Sequence, residues 1–173
     1  MSKQVSANML KPEADLHKEY VEIPVDVPGS DDIHIIKLYP SFSPEKIRDC
    51  VKEMAEFFNN CTKEKTTYKK EEEHDILLFF VVRHFTNLKM SKSKKSKKIY
   101  DDFKPVVNTE LFRLLAKSFP QSSIDKVYDY AEQVIEATAK LENKLKSNQE
   151  LIDTLPLENK DTLKNLRQEK TLQ

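Results

Sequence analysis

One glycine in 173 residues, Gly29, constrains this chain more than any other feature. Phosphate-cradling loops, dinucleotide-binding turns and nucleophile elbows all need glycine, either to bring backbone close to a ligand or to adopt positive φ. None of these can be present in standard form. The glycine falls in "VPGSDD", between two segments rich in β-branched residues, where it reads as the turn of a hairpin.

The segment before that turn, "YVEIPVDV", alternates strictly: Val21, Ile23, Val25 and Val27 point one way and Glu22, Pro24 and Asp26 the other. Ile33 to Tyr39 returns as the second strand. Pro24 lacks a ladder donor and places the first strand at a sheet edge. An isolated hairpin is marginal in water, so its apolar face must lie on helices or on another copy of the protein.

Helical periods take over after residue 40. "SFSPEKIRDCVKEMAEFFNN" opens with Ser43 as N-cap, Pro44 at the first helical position and Glu45 beside the positive end of the dipole. Ile47, Cys50, Val51, Met54, Phe57 and Phe58 then form one apolar stripe. "NNCTKEKTTYKKEEEH" reads as a polar connection, and a helix over about 71 to 88 is apolar on nearly all sides through "ILLFFVV". That makes it the helix around which others pack. Asn108 or Thr109 caps a short helix carrying Leu111, Phe112, Leu114 and Leu115, which Pro120 ends. Ser122 caps a long one in which Ile124, Val127, Ala131, Val134, Thr138, Leu141 and Leu145 step alternately by three and four, a heptad seam.

The fold class expected is therefore mainly α: one helical domain over residues 19–146 with an N-terminal β-hairpin at 19–40 and a long amphipathic C-terminal helix. Residues 1–18 read as a mobile arm and 147–173 as a polar tail, flexible or ordered by a partner. The opening residues lack the apolar core of a signal peptide, and seven apolar residues in a row fall far short of the roughly 20 that span a membrane. A cytoplasmic protein with no membrane association is expected. Cys50 and Cys61, eleven residues apart, have no zinc-ligand spacing and read as reduced thiols, with Cys50 buried on its stripe and inert.

Basic and acidic residues number 29 each, so no global field draws the chain to nucleic acid. The local exception is "KMSKSKKSKKIYDD", with Lys89, Lys92, Lys94, Lys95, Lys97 and Lys98. Readers of bases and single strands interleave aromatic rings or guanidinium groups, and this run has neither before Tyr100. Sequence-blind phosphate attraction is what Lys92, Lys94, Lys95, Lys97 and Lys98 could supply; a mobile, solvated connection between helices is the favoured reading. Nucleic acid is thus not the expected partner.

Glu71, Glu72, Glu73, His74 and Asp75 cluster where carboxylates favour a helix start, and are read chiefly as that signal rather than as a metal or acid–base site. His84, beside Arg83, lies nearly three turns from His74 and shares no compact site with it. His34 reads as solvent-facing. No enzyme activity, cofactor or metal is expected.

The order of elements, with "LYPSFSPEKIRDCVKEMAEFF" after a hairpin, a central helix ending "LLFFVVRHFTNL", and "ELFRLLAKSFPQSSIDKVYDYAEQVIEA", resembles the tail assembly chaperones of long-tailed bacteriophages and prophages of Gram-positive bacteria. The resemblance covers roughly residues 21 to 140 and contains packing positions, with no ligand signature to carry across. It implies a non-enzymatic factor of the host cytoplasm that coats the tape-measure protein and recruits tail-tube subunits. The seam of the long helix reads first as packing within the domain, with room for self-association or a partner helix, and outward positions of that helix and the hairpin edge are the candidate binding surfaces. A small nucleic-acid-associated or regulatory protein using Lys89 to Lys98 is the alternative.

Overall fold

The computed structural model describes residues 4–154. The chain divides into two compact units, residues 1–131 and 132–173. The first begins with helical turns rather than a free arm: a 3-10 turn at Ala7–Leu10, helix α1 at Lys11–Asp15 with Pro12 in its first turn, and a second 3-10 turn at Leu16–Lys18. His17 ties this segment to the domain, its Nδ1 lying 3.0 Å from Ser41 Oγ.

Strands β1 (Val21–Asp26) and β2 (Ile33–Leu38) form the expected antiparallel hairpin, with Ile23 opposite Ile36 and Val21 opposite Leu38. The Ser30 N–H donates to Val27 O, closing a turn with Pro28 and Gly29 at its centre, and Gly29 has φ +86. That is the backbone of a type II turn, in which proline supplies the first central conformation and glycine the second. The inward face carries Val25, Ile36 and Leu38, all buried, while Ile33 and Ile35 point outward and are exposed.

Helix α2 (Pro44–Glu64) starts as read, the Ser43 side chain accepting from the Lys46 N–H. It runs further than its sequence suggests, because Cys61 extends the buried stripe one turn beyond Phe57. Lys65 ends it in the left-handed conformation at φ 55, its N–H donating to Cys61 O. A 3-10 turn at Lys70–Glu72 leads into α3 (Glu73–Phe85), of which Ile76, Leu77, Phe79, Phe80, Val81, Val82 and Phe85 are buried. The expected extension of α3 to residue 88 does not form. Thr86 instead bridges Leu38, and Asn87 brackets Lys37 by donating its N–H to Lys37 O and accepting the Lys37 N–H on Oδ1. The chain leaving α3 thus covers one end of the β2 edge.

The largest difference from the sequence reading is α4 (Ser96–Val107), which begins inside the lysine run and buries Ser96, Ile99 and Phe103. Helix α5 (Glu110–Ser118) follows, capped by Thr109, whose side chain accepts from the Phe112 N–H. Helix α6 (Gln121–Thr154) starts one residue before Ser122, with the Ile124 N–H donating to Pro120 O. It passes Lys146, where the sequence reading ended its helix; the rest of the expected tail lies outside the described residues. Within the first unit the core is aromatic: Phe42 stacks on Phe85 at 3.5 Å between centroids, and Phe79 meets Phe80 and Phe103 edge-on.

Two left-handed positions give opposite expectations. A Cβ at Gly29 would meet no atom within 4 Å. The cost of Gly29→Ala is therefore backbone strain, about 1 kcal/mol of lost stability. Lys65→Gly relieves the same strain at the end of α2 and stabilises by up to about 1 kcal/mol. Chemical denaturation of the two variants checks both signs.

Candidate functional site

The lysine run is built on three anchors. The Ser91 N–H donates to Asp102 Oδ2 at 3.2 Å, and Asn60 Nδ2 donates to Lys94 O at 3.1 Å. At the start of α4, Glu64 Oε2 accepts from the Ser96 N–H at 2.9 Å and from Ser96 Oγ at 2.6 Å. This carboxylate also faces the positive end of the α4 dipole. Ser96 Oγ also lies 2.7 Å from Thr66 Oγ1 and, with its own hydrogen given to Glu64, accepts there. These bonds, led by the one from the Ser96 hydroxyl, hold the Glu64 carboxyl below its ordinary range. The expected mobile connection is thus a pinned segment running into a helix. Lys89, Lys92, Lys94, Lys95, Lys97 and Lys98 are all exposed on it.

Beneath Lys92 and Lys94 lies a cleft of about 240 Å³ with Arg83 in its wall. Arg83 Nη2 is 2.8 Å from Glu53 Oε1, and His84 Nε2 is 2.6 Å from Glu53 Oε2. Burial alone would raise the Glu53 pKa, but the His84 hydrogen bond and the Arg83 charge outweigh it and hold the carboxyl below its ordinary range. His84 is therefore a positioning partner of a carboxylate. Glu53 was missed in the sequence, although its place between Cys50 and Phe57 on the apolar stripe of α2 signals a charge that needs a buried partner.

The acidic cluster disperses. Glu72 turns to α4, pairing with Lys104 Nζ, accepting from Tyr100 Oη at 2.7 Å and from the Lys69 N–H at 3.1 Å. Burial pushes its carboxyl up, yet the bonds from Lys104 and Tyr100 prevail and bring it down to about 2. His74 goes elsewhere, its Nδ1 lying 2.6 Å from Tyr128 Oη on α6. Glu71 and Glu73 are exposed. Among the described residues no group of three or more His, Cys, Asp or Glu is arranged to hold a metal ion. His34 is exposed and lies 3.1 Å from Ser30 Oγ. Cys50 and Cys61 are buried, and burial raises both thiols.

Two apolar surfaces stand out among the described residues. Ile33 is 72% exposed and Ile35 53% on the outer hairpin face. Along α6 the seam changes character: Ile124, Val127 and Ala131 are buried, whereas Leu141 and Leu145 are more than half exposed, as is the neighbouring Ile135. Among the described residues no helix is long and apolar enough to cross a membrane.

A helical domain carrying a β-hairpin, an ion-paired cleft and an open heptad seam is the class of protein this geometry defines. The chain belongs to the YomO family, whose profile matches residues 7–168. It is similar to the SPbeta prophage-derived uncharacterized protein YomO of Bacillus subtilis (strain 168), with 25% identity over 112 residues, 65% of this chain. The match spans 66% of that protein, just under two thirds of its length. No solved structure matches the chain.

Ser96→Ala removes the hydroxyl that Glu64 and Thr66 share, while Glu64 keeps the residue-96 N–H, and is expected to cost about 1 kcal/mol in denaturant unfolding. Serine substitutions at the exposed Lys97 and Lys98 should change stability by less than about 0.5 kcal/mol. Glu72 gives a pH dependence. Its folded pKa, about 2, lies below the ordinary 4.5, so its contribution is fully present above about pH 4.5 and is lost as pH falls toward 2. Glu72→Gln is expected to flatten the acid limb of the stability curve in that window, as followed by circular dichroism.

Proposed function

We propose that this protein is a prophage-encoded tail assembly chaperone, a non-enzymatic factor of the host cytoplasm that binds the tape-measure protein and tail-tube subunits during tail morphogenesis. The observation that carries this reading is the open seam on α6. Its first three apolar positions are used inside the first unit, and Leu141 and Leu145 continue the same heptad phase with exposed side chains. A three-four stripe of this kind is the surface that another helix packs against, and a tape-measure protein is a long helical ligand. The similarity to a prophage-derived relative supports the setting. Exposed Ile33 and Ile35 beside the hairpin edge offer a second apolar contact.

The exposure of Lys92, Lys94, Lys95, Lys97 and Lys98 on a pinned segment favours a second reading, a small nucleic-acid-associated or regulatory protein. If the six lysines from Lys89 to Lys98 all met phosphates, log affinity would fall against log salt with a slope of about −5.

Affinity purification of the tagged chain from its host, with and without nuclease, separates the two. The chaperone reading expects a long helical protein or a tail-tube protein to survive nuclease and to be lost from Leu141→Glu/Leu145→Glu. Partners that disappear with nuclease, and with serine at Lys94, Lys95, Lys97 and Lys98, overturn it. A chain that pairs with itself through α6, and retains no other protein, would make the seam a dimer contact and also overturn it.

A further inference from the structure

We infer that the open edge of β2 is a docking site for an extended segment of a protein ligand, which adds to the hairpin as a third strand and carries β-branched side chains followed by lysine or arginine. This goes beyond the tail-assembly reading, which rests on α6, and each can fail without the other.

The inference starts from the direction of backbone groups. Both backbone groups of Lys37 are bonded to Asn87, so its N–H and C=O face away from β1. In an antiparallel pair that direction repeats every second residue, and Ile35 and Ile33 therefore turn theirs the same way. Neither finds a partner there among the described residues. The chain itself begins the missing strand: Phe85 O accepts from the Tyr39 N–H, Thr86 bridges Leu38 antiparallel, and Asn87 ends the run. Beyond Asn87 the donors and acceptors of Ile35 and Ile33 stay open, under side chains that are themselves exposed. The β1 edge offers no such ladder, because Pro24 has no N–H and Glu22 and Asp26 flank it.

The hairpin selects the ligand. On its outer face Ile33 stands opposite Asp26 and Ile35 opposite Pro24. A strand laid along β2 thus meets apolar neighbours at two alternate positions, which β-branched side chains suit. Residues 19–36 contain Glu19, Glu22, Asp26, Asp31 and Asp32 and no lysine or arginine. Among the described residues the single cation paired with any of them is Lys37, 4.0 Å from Glu22. Asp31 and Asp32, both exposed, precede β2 at the end away from Asn87. A segment continuing the antiparallel course of Phe85 to Asn87 enters beside Asn87 and leaves beside these carboxylates. Its basic residues therefore belong at its C-terminal end, where the charges are complementary. This is β-strand addition, in which main-chain bonds hold the ligand and alternate side chains select it.

The test is a titration of the isotopically labelled full chain with acetyl-Thr-Val-Thr-Val-Lys-Lys-amide, followed at the amide resonances of Ile33 and Ile35. Saturable shifts at both are expected, with slower exchange of their amide hydrogens. Methylating the two valine nitrogens, which face β2 in this register, should weaken binding about tenfold or more. Methylating the two threonine nitrogens, which face away, should leave it in place. Glutamate in place of the two peptide lysines should weaken binding about fivefold at low salt. Asp31→Lys/Asp32→Lys, at exposed positions, should reverse that preference. Absence of saturable shifts, equal binding of the valine-methylated or the glutamate peptide, or shifts confined to β1 would each overturn the assignment. So would concentration-dependent shifts of Ile33 and Ile35 in the free chain, which make a second copy the occupant.

Discussion

Helix α3 has almost no solvent face, and the rest of the first unit follows from enclosing it. Seven of its thirteen residues are buried, so neighbouring elements must present apolar surface to it. Helix α2 supplies Phe57 against Phe80, α4 supplies Phe103 against Phe79, and Phe42 lies flat on Phe85. An enclosed helix still has polar ends, and each is answered from outside. Glu72, just before the helix, takes Lys104 and Tyr100; His74 takes Tyr128; Arg83 and His84 converge on Glu53. The polar contacts are therefore consequences of the apolar demand, because a charge beside a buried helix needs a partner.

This explains how the molecule can hold a basic surface without a global positive field. The lysines sit on a segment whose backbone and serines are bonded by Asp102, Asn60 and Glu64. Rigid attachment limits the entropy lost when such side chains engage a ligand. The same attachment places Lys92 and Lys94 among the residues that line the cleft with Arg83. Charge placement, rather than charge number, gives this face its chemistry.

Much of the fold was legible because period and capping agreed. The alternation of Val21 to Val27, the turn at Gly29, the cap at Ser43 and the phase of α6 all follow from local rules. Helix α4 was not legible: lysine and serine dominate its start, Pro105 interrupts its last turns, and its apolar positions Ile99 and Phe103 are few. Its boundary is fixed by Glu64 from α2, 32 residues earlier in the chain. The end of α3 was hidden similarly, since Thr86 and Asn87 leave the helix to pair with β2. Glu71 to Asp75 did read as a helix start, but neighbouring members are sent to α4 and α6, a divergence set by packing. Of the cleft's ion pair only Arg83 was singled out in the sequence; its meeting with Glu53 depends on how α2 crosses α3, which no local pattern records.

The two buried thiols have a use outside binding. Cys50 sits 1% exposed and Cys61 3% exposed on the inward face of α2, eleven residues apart, and burial disfavours the thiolate of each. A thiol in this state reacts with an alkylating reagent only when its surroundings open. The chain thus carries a pair of internal clocks on one helix, Cys50 in its second turn and Cys61 in its last. Their relative alkylation rates distinguish fraying of the α2 terminus, which releases Cys61 alone, from cooperative opening of the core, which releases both together.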